Sequence, residues 1–216
     1  MQNSLKQLIN DSNLIFLDFD GVIKDSLAVK AFAFESLFSE FGSKVVDLIK
    51  THHAENSGIS RFEKIPLYLS WAGKSTSKEN IDKYCKNFAS LVKQSVIDSS
   101  WVPGVLEFLE SNYKDKKLII VTATPVDEIH EILKKTEILH FFLEIYGSPT
   151  SKADALSSSL NKFSNDANKA IMIGDSYCDY EAAKKNNIFF ALRCTDFNYA
   201  LQSKCMCYMF NDFNDE

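Results

Sequence analysis

Leu14-Ile15-Phe16-Leu17-Asp18-Phe19-Asp20-Gly21-Val22 is an apolar run that ends in two carboxylates one residue apart, followed by a glycine. The unbroken apolar residues Leu14 to Leu17 read as a strand of a parallel sheet covered on both faces, where runs replace alternation. Asp18 and Asp20 break that run at its carboxyl end. Two unpaired carboxylates buried side by side are costly, so a cation, a proton or both must neutralise them. The plain alternative is a strand that runs into an Asp-Gly turn, since both are ordinary turn residues. The rest of the chain decides between the two.

Beyond Gly21 the period changes. Leu27, Ala31, Phe34, Leu37, Phe38 and Phe41 follow helical spacing over Ser26 to Phe41, with Ser26 as the start signal and Gly42 as the stop. Further helices are expected over Lys44 to Ala54, Ser60 to Trp71 with a bend at Pro66, and Lys78 to Ile97. This stretch of about seventy residues carries no strand signal and is too long for an ordinary connection. It reads as an all-helical domain over residues 25–97, inserted into an α/β core made of residues 1–24 and 98–216.

From Pro103 strand and helix alternate. A helix over Val105 to Tyr113 precedes the strand Lys117 to Val121, after which Thr124 is expected to cap the helix that begins at Pro125. The strand Leu143 to Tyr146 leads to a helix opened by Ser151, and Ala170 to Ile173 is a strand that ends in Gly174-Asp175-Ser176. A helix over Tyr177 to Asn186, a strand over Phe189 to Leu192 and a last strand within Cys205 to Phe210 complete the pattern. Such alternation gives a doubly wound, Rossmann-like parallel sheet.

The chain has 216 residues, of which 45% are hydrophobic and 25% charged, enough for a large core and without a disordered tract. A net charge of -5 argues against nucleic acid as a partner. No apolar run approaches the roughly 20 residues that span a bilayer, and Met1 to Asp11 lacks the pattern of a secretory signal, so a cytoplasmic protein is expected. The 5 cysteines are odd in number and scattered, and reduced thiols are expected. Cys205 and Cys207 alternate with Met206 and Tyr208 as in a short strand, a reading preferred over a metal site.

In an open parallel sheet, ligands bind beyond the carboxyl ends of the strands. The residues there are Asp18 and Asp20, then Thr122, then Asp175 and Asp179, with Lys152 in the first turn of a helix after another strand. Carboxylates suit a hard divalent cation such as magnesium, while a hydroxyl and an ammonium suit phosphate oxygens. Together they describe phosphoryl transfer onto a carboxylate.

With Asp18-Phe19-Asp20-Gly21, Thr122, Lys152 and Gly174-Asp175-Ser176-Tyr177-Cys178-Asp179 in that order, the chain resembles the haloacid dehalogenase superfamily over nearly its whole length, in particular its helical-cap phosphatases. The resemblance implies Asp18 as nucleophile and Asp20 as general acid and later base. It implies Mg2+ held by the Asp18 carboxylate, the Asp20 backbone carbonyl and Asp175, with Asp179 positioning the metal site directly or through water. Thr122 and Lys152 would hold the phosphoryl oxygens. The inserted helices correspond to the superfamily's cap, whose Gly58-Ile59-Ser60-Arg61 resembles the cap loop of phosphoglucomutase-like and phosphoglycolate phosphatase-like members. Gly21, Ala123, Arg61 and Lys64 are candidate substrate contacts, although Arg61 and Lys64 also fit a solvated first helical turn. His52 and His53 read as surface or cap-interface residues, and Lys24 and Asp25 as the hinge.

The implied activity is magnesium-dependent hydrolysis of a small phosphorylated metabolite, a sugar phosphate or a phosphoglycolate-like acid, through an aspartyl phosphate. No protein partner is evident. A phosphomutase of the beta-phosphoglucomutase type and a non-catalytic phospho-ligand-binding protein are the alternatives. A phosphoacceptor domain of the response-regulator type is disfavoured, because the strand ending at Tyr146 delivers no aspartate.

Overall fold

The computed structural model describes residues 4–163 and 166–214, so the reading of Met1 to Asp11 falls partly outside the described residues. Chain order is α1 (Leu5–Asp11), β1 (Leu14–Leu17), α2 (Leu27–Leu37), α3 (Ser43–Glu55), α4 (Arg61–Trp71), α5 (Lys78–Asp98), α6 (Val105–Asn112) and β2 (Lys117–Pro125). It continues through α7 (Val126–Lys135), β3 (Glu144–Ser148), α8 (Lys152–Phe163), β4 (Ala170–Gly174), α9 (Tyr177–Lys185), β5 (Phe189–Arg193), α10 (Tyr199–Gln202) and β6 (Tyr208–Phe210).

The strands form one parallel sheet in the order β3-β2-β1-β4-β5-β6. Chain order reverses between β1 and β4, and the carboxyl ends of strands at such a switch point open the crevice where ligands bind. β1 is buried along its whole length, as its unbroken apolar run requires. Its side chains divide between two clusters: Ile15 and Leu17 join the face that continues into the inserted helices, while Leu14 and Phe16 pack on Ala155, Leu156, Ala182 and Ala183 of α8 and α9.

The helices α2 to α5 all lie between β1 and β2 and pack on one another. Phe34 of α2 and Phe38 just beyond its end meet Tyr68 of α4 edge-on, and Phe34 stacks on Phe88 of α5 at 4.0 Å between ring centres. The chain leaves and re-enters the sheet region along paired backbone: Asp25 N donates to Ser100 O at 2.9 Å and Val102 N to Ile23 O at 3.0 Å. Lys24 is buried there, with its ammonium 4.0 Å from the centre of the Trp101 ring.

Several expectations are corrected. The first inserted helix stops at Leu37, and Ser39–Phe41 is a separate 3-10 turn. The polar N-terminal stretch forms α1, because Leu5, Leu8 and Ile9 share one buried face and Ser4 Oγ accepts from Gln7 N at 3.2 Å. β2 runs on to Pro125 through a register shift, so Thr124 is a strand residue that makes no helix cap, and the helix begins at Val126. Cys205 and Cys207, expected as thiols, form a disulfide in the turn before β6, where their Cα atoms lie 5.4 Å apart, within bridging reach. Among the described residues no helix is long and apolar enough to cross a membrane.

Candidate active site

Asp18 follows β1 directly and is held from both sides. Its Oδ1 accepts from Phe19 N at 2.7 Å and its Oδ2 from Lys152 Nζ at 2.6 Å. Lys152, in the first turn of α8, also donates to Asp179 Oδ1 at 2.6 Å, so one buried ammonium bridges two buried carboxylates. The other Asp179 oxygen accepts from Ser176 N at 3.1 Å and Ser176 Oγ at 2.5 Å, a capping box that opens α9.

Asp18, Asp175 and Asp179 offer carboxylate oxygens that all lie within 4.8 Å of one another, every one buried. Burial, offset in part by Lys152 and reinforced by Asp179, pushes the Asp18 carboxyl up to about 7. Burial and then the Asp18 and Asp179 charges push Asp175 well above the usual carboxylate range. Asp175 Oδ2 is buried with no hydrogen-bond partner. A buried carboxylate oxygen without a donor, next to two further acids, fits a hard divalent cation such as Mg2+. Gly21 keeps this corner open, since it adopts φ +78° and a Cβ there would stand 2.7 Å from Asp175 Oδ2.

Asp20 has a different set of partners. Its Oδ1 accepts from Ser26 Oγ at 2.6 Å, and its Oδ2 accepts from Lys30 Nζ and, at 3.2 Å, from Thr124 Oγ1. Lys30 also donates to Thr124 Oγ1 at 2.9 Å. Burial alone would raise the Asp20 carboxyl, but the Lys30 charge and the hydrogen bonds from Lys30, Ser26 and Thr124 outweigh it and hold the group below its usual range. The two aspartates of one tetrapeptide are thus driven in opposite directions, the arrangement that separates a proton carrier from its neighbour.

The inserted helices form the opposite wall. A cavity of about 40 Å³ lies between the two walls, lined by Asp18, Asp20, Thr122, Ala123 and Asp175 on one side and by Lys30, His53, Arg61 and Lys64 on the other. Gly58 lets the wall approach the sheet, because a Cβ there would lie 2.2 Å from Ser176 Oγ. Ser60 Oγ donates to Ser148 Oγ at 2.9 Å, and Arg61 makes a forked pair with Glu128 of α7, Nη1 to Oε2 at 2.9 Å and Nη2 to Oε1 at 2.5 Å. Arg61 and Lys64 are both buried, which sets aside the solvated-turn reading. His53 is also buried, with Lys64 Nζ 2.8 Å from its Nδ1, whereas His52 sits outside this wall against Tyr68 Oη at 3.0 Å.

Thr122 and Ala123 line the cavity together with the acids, although β2 continues through both of them. They also border a wider groove of about 750 Å³ that reaches Lys152, Ser148 and Cys178. Lys30 and Thr124 on Asp20, and His53 on Lys64, lie outside the sequence-derived set. Lys30 carries no local signal, while Thr124 has one, its place two residues beyond Thr122, although the Thr-Pro pair makes Thr124 resemble a helix cap.

A parallel sheet with acids beyond its switch-point strands, a lysine bridging two of them and helices inserted after the first strand define a hydrolase class. The chain belongs to the haloacid dehalogenase-like hydrolases, whose family profile matches residues 14–192. It is similar to the phosphoglycolate phosphatase of Aliivibrio fischeri, 26% identical over 189 residues, or 82% of each chain. Two crystal structures share its fold with a TM-score of 0.73: a predicted phosphoglycolate phosphatase of Haemophilus somnus, 21% identical over 94% of this chain and 95% of that one, and a beta-phosphoglucomutase of Clostridium difficile, 19% identical over 94% and 92%.

Proposed function

We propose that the protein is a magnesium-dependent phosphatase that hydrolyses a small phosphorylated metabolite, a sugar phosphate or phosphoglycolate-like acid, through an aspartyl phosphate on Asp18. The observation that carries this reading is the contrast at one site between Asp18, tied to Lys152 at 2.6 Å beside the donor-free Asp175 oxygen, and Asp20, bound to hydroxyls and an ammonium instead. The name of the Aliivibrio fischeri relative supports the substrate range. Residues 25–97 act as the cap in this reading and residues 1–24 and 98–216 as the catalytic core.

Asp18, the Asp20 carbonyl and Asp175 would hold Mg2+, with Asp179 fixing their surroundings. When bound, the cation would offset negative charge on the phosphoryl oxygens and on Asp18. Lys152 and Thr122 orient the phosphoryl group. The Asp18 carboxylate forms a bond to phosphorus as the ester P–O bond breaks, and Asp20 gives its proton to the leaving oxygen. Asp20 then takes a proton from the water that attacks phosphorus, which frees phosphate and restores Asp18. With Lys30 in place Asp20 is ionised, ready for that second step. The arriving phosphate dianion repels that charge and favours the protonated form needed for the first step.

The test is phosphate release from a panel of sugar phosphates, short phosphorylated acids and nucleotides, with magnesium and with chelator. Release that requires the metal and vanishes in Asp18→Asn is the expected result. Unchanged release in that variant, or an isomerised sugar phosphate in place of free phosphate, refutes the proposal.

A further inference from the structure

The cations around the cavity are not equivalent. Lys152 is paired with Asp18 and Asp179, Lys30 with Asp20, and Arg61 with Glu128. Lys64 has no carboxylate in ion-pair range among the described residues. It is nonetheless only 1% exposed, with His53 Nδ1 at 2.8 Å and Ser57 O at 3.4 Å as its polar contacts and the Phe34 ring centre 5.6 Å away. Leaving an ammonium buried without an anion is unfavourable, and the other two cations that line the cavity, Lys30 and Arg61, each have a carboxylate.

We infer that Lys64, with His53 against it, is the subsite for a carboxylate on the leaving group, so that the substrates are short phosphorylated hydroxy acids. The inference rests on the phosphatase reading and narrows its substrate class. Position supports it: Lys64 lies on the wall made by the inserted helices, facing the acids across the cavity, whereas the phosphoryl-holding residues lie on the sheet side. Arg61, one turn earlier on α4, is unsuited to this task because Glu128 already engages its guanidinium at both nitrogens.

The electrostatics agree. Burial and then the Lys30 charge push the Lys64 ammonium down to about 7, and an adjacent carboxylate restores its charged form. Burial and then Lys64 hold His53 well below its usual range, which keeps its imidazole neutral beside Lys64 Nζ, 2.8 Å from its Nδ1.

Two ligands of similar size separate the carboxylate from the phosphate: 2-phosphoglycolate, and ethyl phosphate, which lacks the carboxylate. Calorimetric binding is measured with magnesium on full-length Asp18→Asn protein, so that turnover does not intervene. A charge-assisted contact predicts a preference for 2-phosphoglycolate of about tenfold or more. Adding Lys64→Met, or Lys64→Gln should the first variant fail to fold, brings the two affinities to about equal. Equal affinities with Lys64 in place, or a preference that survives its replacement, overturn the subsite. The preference without phosphate release by the unmodified protein keeps the subsite and overturns the hydrolytic reading. Release from both esters at equal affinity does the reverse.

Discussion

The two walls of the cavity are built by different means. On the sheet side Asp18 and Asp175 directly follow β1 and β4 and Thr122 lies just beyond the regular part of β2, where parallel pairing in register fixes them to one edge. On the other side Lys30, His53, Arg61 and Lys64 come from α2, α3 and α4, whose mutual packing decides which residues turn inward. Charge follows the same division. Two of the three buried acids on the sheet side share one lysine and the third has no cation, whereas the helical side supplies cations that each answer a separate need. The sheet side is therefore short of positive charge, and the helical side holds one ammonium without a counter-anion.

The sharpest way to break this comparison is at Lys152, the one cation at the centre of the acidic wall. Lys152→Met leaves Asp18 and Asp179 without their shared partner. Breaking a buried pair of this kind costs about 3–5 kcal/mol, and loss of a group that acts as part of a catalytic unit lowers turnover on the order of 10³-fold or more. Denaturant unfolding and phosphate release measure the two effects. A mild loss in both would mean that the acidic wall does not depend on its lysine.

Lys30 tests whether the helical wall tunes the chemistry of the sheet. Its ammonium is the largest influence that lowers the Asp20 carboxyl against burial, so Lys30→Met moves that group upward. The pH-activity limb assigned to Asp20 then shifts to higher pH, and turnover near neutrality falls by roughly 10²-fold, the low end of general acid-base contributions. An unmoved limb would show that the two walls act independently.

The same division explains what could be read from the sequence. Asp18, Thr122 and Asp175 follow apolar runs, so strand order alone brings them together, and the doubly wound sheet is legible for the same reason. Lys30 sits between Leu27 and Ala31 of a helical stripe with nothing local to mark it, and its contact with Thr124 spans 94 residues. Thr124 imitates a helix cap in the sequence because the register shift that prolongs β2 past Val121 is not written in the residue pattern, and a Thr-Pro pair resembles a helix start. His53 and Lys64 are eleven residues apart on separate helices, and only the packing of α3 on α4 turns both inward.

Magnesium offers a test of the acidic wall that needs no substitution. Asp18, raised to about 7, and Asp175, raised well above its usual range, both keep protons in the folded protein that the unfolded chain releases near pH ~4. The folded state then binds more protons than the unfolded one. The stability Asp18 contributes is full below about pH 4 and is lost as pH rises through about 7, and that of Asp175 falls in the same direction as pH rises. A bound cation replaces those protons. Magnesium therefore raises the unfolding midpoint more at about pH 8 than at about pH 5, and where the ion is at a hundredfold excess over its dissociation constant it stabilises the fold by about 2.7 kcal/mol. Equal shifts at both pH values would mean that the ion binds elsewhere.

The smallest effects separate the ties that join the two walls. Arg61 and Glu128 pair in a forked, nearly buried geometry, with side-chain exposures of 5% and 11%, while Lys93 and Glu131 pair at 2.7 Å on the surface, exposed 37% and 41%. Glu128→Gln strands a buried guanidinium and frees it to swing into the cavity, so Michaelis constants rise several-fold and the unfolding midpoint falls. Lys93→Met removes a solvated pair of the kind that double-mutant cycles find nearly neutral. Its unfolding midpoint and kinetics stay within error of the parent. If both variants behaved alike, contact between the walls would depend on charge at long range and not on the buried fork, and Arg61 would be available to substrate after all.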